Sequence, residues 1–171
     1  TLEQVLADAT LGLAPYLDLT SENLFGSTAT SDLETFLQVL HLYVTAPRVT
    51  ETALATYVDQ VRPYAEDPLS DPDLAGTVTL LEARYGDAVP RFRVLPTVED
   101  VDAYDASVME RIWRERFGDV SDWVFVFSGD FDTDELVDLA RVYLGTLPGA
   151  DRQEDWVDLQ PDPPAGVVSR D

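Results

Sequence analysis

The segment Asp122-Trp123-Val124-Phe125-Val126-Phe127-Ser128-Gly129-Asp130-Phe131-Asp132-Thr133-Asp134-Glu135 decides the fold. Trp123 to Phe127 is continuously apolar and is bounded by Asp122 on one side and Ser128-Gly129 on the other. That is the profile of a strand covered on both faces. The pattern then changes. Asp132 and Glu135 stand at capping-box spacing, where each side chain satisfies an amide left open at a helix start. Leu136, Leu139, Ala140, Tyr143 and Leu144 follow as one stripe, and Gly145 and Pro148 stop the helix. A central strand leading into an amphipathic helix implies helices packed on a sheet.

Upstream, Leu2 to Ala9 reads as the end of a helix. Two β-compatible runs, Leu13 to Thr20 and Leu24 to Thr30, flank the turn residues Ser21, Glu22 and Asn23 and predict a β-hairpin. Ser31 and Glu34 form a second capping-box pattern. Leu33, Phe36, Leu37, Leu40, Tyr43 and Val44 then predict a helix over 32–45, ended by Pro47. Thr50 caps the next, which carries Leu54, Tyr57, Val58 and Val61 until Pro63 kinks or ends it. Asp71 before Pro72 starts another, with Leu74, Val78, Leu81 and Tyr85 before Gly86. A loop covers 87–96. Thr97 with Asp100 starts a fourth helix or helix pair along Val101, Tyr104, Val108, Ile112, Trp113 and Phe117. After Gly149 the chain turns acidic and proline-rich, so residues 1–149 read as the domain and 150–171 as a linker with the start of a further strand. The fold class is α+β: a mainly antiparallel sheet, made of the hairpin and the central strand, with helices on one face.

The chain has 171 residues, enough for one domain with a real core, and 45% of them are hydrophobic. Against 33 Asp and Glu stand 11 basic residues, all arginine, for a net charge of −22. Such a field repels phosphate backbones and anionic lipid headgroups, which sets aside nucleic acid and membrane surfaces as partners. Self-repulsion at this charge predicts a fold that weakens at low ionic strength.

Little chemistry is assembled. His41 is the only histidine and there is no cysteine. His41 lies at the flank of its helix stripe, the place of a border residue with one face packed. No G-x-S-x-G elbow accompanies it, and a zinc site built from one imidazole and no thiolate is poorly supplied. Asp130, Asp132 and Asp134 match the opening of a calcium loop. Glu135, however, stands where that loop needs glycine, and Arg141 where it needs a bidentate glutamate. Helix capping accounts for Asp132 and Glu135 without an ion. Asp67, Asp71 and Asp73 read as a loop and a cap. Trp113, Trp123 and Trp156 read as core and edge anchors. No catalytic, cofactor-binding or metal residue is assigned.

From Asp32-Leu33-Glu34-Thr35-Phe36-Leu37-Gln38-Val39-Leu40-His41-Leu42-Tyr43-Val44-Thr45-Ala46-Pro47-Arg48 onward, the sequence resembles the insulinase/pitrilysin family of zinc metallopeptidases, most of all the later, non-catalytic repeat of bacterial two-repeat members. The likeness continues through Arg91-Phe92-Arg93-Val94-Leu95, Arg114-Glu115-Arg116-Phe117-Gly118, Phe125-Val126-Phe127-Ser128-Gly129-Asp130-Phe131-Asp132 and Tyr143-Leu144-Gly145-Thr146-Leu147-Pro148, and ends in Pro164-Ala165-Gly166-Val167-Val168. It implies a domain of a clam-like peptidase whose halves enclose a chamber for unfolded peptides. Active members carry an H-x-x-E-H helix and a later glutamate that together hold zinc. The motif is missing here, and Glu66, near the place of the later glutamate, does not hold zinc alone. The resemblance therefore implies an inactive wall domain with no cofactor of its own, zinc belonging to a partner repeat. Expected partners are other repeats of the parent and unfolded peptide substrate. Periplasmic or secreted placement is compatible with it, though the compartment stays open. It also implies that the opening strands of the repeat precede Thr1, which leaves a sheet edge available for self-association. Two other classes compete: a free-standing acidic module that binds basic peptides, and a hydrolase built on a carboxylate pair.

Overall fold

The computed structural model describes residues 8–17, 21–85, 95–153 and 155. The class is α+β: strands β1 (Leu11–Leu17) and β2 (Glu22–Thr28) precede six helices, α1 (Leu33–Thr45), α2 (Glu51–Glu66), α3 (Pro72–Tyr85), α4 (Val98–Asp102), α5 (Ala106–Phe117) and α6 (Thr133–Tyr143). The described residues fall into two compact units, one drawn from residues up to Arg48 and from Glu110–Gln153, the other from Val49–Met109. The expected terminal helix over Leu2–Ala9, the loop over 87–94 and most of the 150–171 linker lie outside the described residues.

In the first unit, β1 and β2 pair antiparallel from Leu11 opposite Thr28 to Leu17 opposite Glu22. The hairpin is where the sequence placed one, but its strands start earlier. Glu22 and Asn23, expected in the turn, belong to the ladder. Arg116 at the end of α5 pairs with Glu22 at 3.1 Å. Alternation sends Leu11 and Leu13 inward onto a core of Leu33, Phe36, Leu37 and Leu136, which joins α1 to α6. Gly26 lies where the Phe36 ring meets the hairpin, and a Cβ there would stand 2.4 Å from ring atoms. On the opposite face, Tyr16 and Phe25 pack edge to face at 6.1 Å and stay exposed.

Helix α1 carries most of the burial, with Leu33, Phe36, Leu37, Val39, Leu40 and Val44 all inside. Its start differs from the expected Ser31–Glu34 box. The chain enters through a short 3-10 turn at Thr30–Asp32, which shifts the cap to Asp32, and neither side chain makes the reciprocal bonds. Asp32 instead accepts from the Thr10 amide at 2.8 Å, and Glu34 is engaged by Tyr143.

The second unit is thinner. Thr50 caps α2 by accepting from the Ala53 amide, Asp71 caps α3, and Thr97 with Asp100 makes a complete capping box for α4. Helix α5 starts behind Asp105, which accepts from the Ser107 and Val108 amides, a cap the sequence reading passed over. Pro63 does not end α2; the helix runs on to Glu66. One ladder bond is lost there, and Asp59, whose carbonyl would have received it, is exposed. Only Leu54, Val101 and Ala106 are buried in this unit among the described residues. Tyr57 against Tyr104 and Arg62 with Asp102 at 2.5 Å complete it.

Candidate functional site

The run Trp123–Ser128 alternates in burial as a strand does, but it is not the doubly covered strand expected from sequence. Among the described residues the only sheet is β1–β2, and the run belongs to no ladder. Trp123, Phe125 and Phe127 are half-buried, while Val124 and Val126 between them are each 84% exposed. The physical reason is one-sided anchoring. Trp123 stands edge to face on Phe117 at 6.0 Å and 5.9 Å from Phe125, and Phe127 packs on the α1–α6 core. Nothing described covers the valines.

An aromatic chain sets the position of the run. Tyr43 of α1, Trp113 and Phe117 of α5, then Trp123 and Phe125 follow one another with centroids 4.5 to 6.0 Å apart. The Trp113 indole also donates to the Tyr43 carbonyl at 2.8 Å, satisfying an acceptor in the last turn of α1. Both ends of the run are tied down. Before it, the Asp119 carboxylate accepts from the Ser121 amide and hydroxyl and from the Ala150 and Arg152 amides, and Val120 donates to the Pro148 carbonyl. These bonds, the Ser121 hydroxyl first, hold the Asp119 carboxyl well below the usual carboxylate range. They also fix residues 148–152, the end of the expected domain and the start of the expected linker, to the first unit. After the run, Gly129 takes a φ of 151°, a region that favours glycine, and Thr30 donates to the Asp130 carbonyl at 2.7 Å.

Between these ties, Trp123 donates to the Val120 carbonyl. The backbone groups of Val124 to Ser128 make no hydrogen bond among the described residues. They form an open edge bracketed by acid: from Arg116 to Arg141 the sequence holds seven Asp and Glu and no basic residue.

His41 serves structure. It is half-buried at the flank of α1, and its Nδ1–H donates to the Tyr143 carbonyl at 2.8 Å, since a carbonyl only accepts. Next to it the Tyr143 hydroxyl donates to Glu34 at 2.8 Å and accepts from Gln38 at 3.0 Å. Glu34, Gln38 and His41 recur on one face of α1 and together lock the end of α6, a polar seam the sequence reading did not single out although the spacing was there. Asp132 caps α6 through the Glu135 amide at 3.0 Å. Asp130 and Asp134 are exposed, and no three His, Cys, Asp or Glu among the described residues converge on a point that would hold a metal. Glu66 is exposed at the last position of α2. Asp67 closes that helix and its carbonyl accepts from Ser70, and Asp71 caps the next one. This donor set does not fit a zinc site: the sequence supplies one imidazole and no thiolate, and among the described residues no acids gather beside His41 to complete a ligand set. Trp113 and Trp123 are anchors; Trp156 lies outside the described residues.

The sequence matches no family model and no curated protein.

Proposed function

We propose that this chain is a non-catalytic structural and substrate-enclosing domain of an insulinase-like zinc metallopeptidase, with hydrolysis done by a partner repeat that carries the metal. One observation supports this reading above the others. The stretches that carry the resemblance and fall among the described residues pack together in the first unit: 32–48 as α1 with its exit, 114–118 at the end of α5, 125–132 as the run and its turn, and 143–148 at the end of α6. They build a helical layer of α1 and α6 with sheet-like elements laid on it, the arrangement the resemblance implies for a chamber wall. Within it the Glu34, Gln38, His41 and Tyr143 side chains are spent on holding helices together.

The test uses the purified chain, a quenched-fluorescent unfolded peptide and elemental analysis. The proposal expects no hydrolysis with or without added zinc and no stoichiometric metal. It also expects retention on an unfolded basic polypeptide such as reduced, carbamidomethylated lysozyme. Turnover by the chain, or one tightly held zinc, overturns it. A second reading, a free-standing acidic module for basic peptides, is favoured by the open acidic edge at Trp123–Ser128. Recovery of a parent polypeptide without a zinc-binding repeat decides for that reading.

A further inference from the structure

We propose that the backbone of Trp123–Ser128 is a docking edge that takes up an extended segment of another polypeptide, with apolar residues at alternate positions and Arg or Lys at its ends. This goes beyond the wall-domain reading, because it stands on the geometry of the first unit and holds whether or not the parent is a peptidase.

Burial alternates along the run as it does in a strand. Alternate side chains point to opposite faces, three aromatics anchor one face, and the ends are fixed by the Asp119 clasp and by Gly129 with Thr30. The entropy of ordering the edge is therefore spent in folding, before any partner arrives. Val124 to Ser128 then offer amides and carbonyls that nothing described uses, which is the template for strand addition. Val124 and Val126 supply the cross-strand contacts. A pairing strand that places β-branched or aromatic residues beside them removes from water two side chains now 84% exposed.

Charge selects the occupant. A second copy is the obvious candidate for an open strand, but each copy carries −22. An antiparallel self-pair centred on Val126 also brings Asp122 of each copy towards Asp130 of the other, and like charges across a pair are destabilising. A strand with basic ends meets Asp122 at one end of the run and Asp130, Asp132 and Asp134 at the other. This complementarity speeds encounter and rejects acidic competitors.

The probe is a fluorescent peptide of sequence Lys-Arg-Val-Thr-Val-Thr-Val-Arg-Lys, compared with an analogue bearing Glu and Asp at its ends and with a basic analogue N-methylated at alternate amides. Binding to the full chain is read by anisotropy, and the place of binding by amide hydrogen exchange. The basic peptide is expected to bind at least about tenfold tighter than the acidic one and to lose that preference at high salt. It slows exchange at Val124 to Ser128, and methylation abolishes binding. Val126→Pro removes the Val126 amide, which no described group uses, and weakens binding in the same way; unchanged exchange protection of β1–β2 verifies its fold. The N-methylated probe leaves the protein untouched and keeps the test valid if that variant misfolds. Equal binding of the acidic and basic peptides, full binding of the methylated one, or protection elsewhere overturns the proposal. So does a dimer in light scattering whose Val124–Ser128 amides are protected without peptide, which makes the second copy the occupant.

Discussion

The hairpin β1–β2 and the run Trp123–Ser128 lie on the same core of α1 and α6, yet only one of them is a sheet. Leu11 and Leu13 reach that core from the hairpin and Phe127 reaches it from the run. In the hairpin each strand supplies the other's hydrogen bonds, and burial and pairing act together. In the run burial acts alone, through the aromatic face, and the edge is left to solvent. Hydrophobic anchoring and backbone pairing are therefore separable in this protein, and one element with strand composition has the first without the second.

The core beneath both elements is the place to disturb them together. Leu37 is fully buried at its centre, so Leu37→Ala leaves a cavity and is expected to cost about 2 to 5 kcal/mol in denaturant titration, with hairpin and run lost in one transition. A run that stayed packed after the hairpin melted would break the comparison. Gly26→Ala acts on the hairpin side only. The new methyl meets the Phe36 ring, and overpacking of this kind costs about 1 to 3 kcal/mol, visible as faster amide exchange in β1–β2.

Asp119→Asn acts on the run side, where it weakens the clasp ahead of Trp123. Because the Asp119 pKa is depressed in the fold, its stabilisation is present above the ordinary carboxylate pKa of about 4 and is lost as pH falls below it. The variant should melt lower than the parent at pH 7 and show a shallower loss of melting temperature on acidification. Parallel acid limbs for the two proteins would contradict this. Val126→Thr, at an exposed and uncovered position, should change stability by no more than about 0.5 kcal/mol, whereas in a doubly covered strand the buried hydroxyl would cost more.

The sequence made the helices legible because their signals are local. Thr50, Asp71, Thr97 and Asp132 each cap where their spacing says, though Glu135 does not complete a box with Asp132, and the α1 stripe from Leu33 to Val44 is buried except for half-buried Tyr43. Ser31 failed because a 3-10 turn, set by the tertiary bond from Thr10 to Asp32, moved the helix start. The hairpin strands begin two residues earlier than read, in the register that turns Leu11 and Leu13 onto the core, a contact with segments far along the chain. Trp123 to Phe127 reads as buried on both faces because five apolar residues in a row look the same whether or not a neighbour exists. Pairing is a property of two segments, and composition reports one. His41 was legible as a border residue, but its partner, the Tyr143 carbonyl, is a matter of how α1 and α6 pack.

The most direct test of the account is residue-resolved amide hydrogen exchange of the chain alone at neutral pH. Val124 to Ser128 are expected to exchange near the rate of an unstructured peptide while the ladder amides of β1–β2 are protected, in a protein whose Trp123 fluorescence remains that of a packed indole. Protection of Val124 to Ser128 equal to that of the hairpin, in a monomer without added peptide, would contradict an open edge.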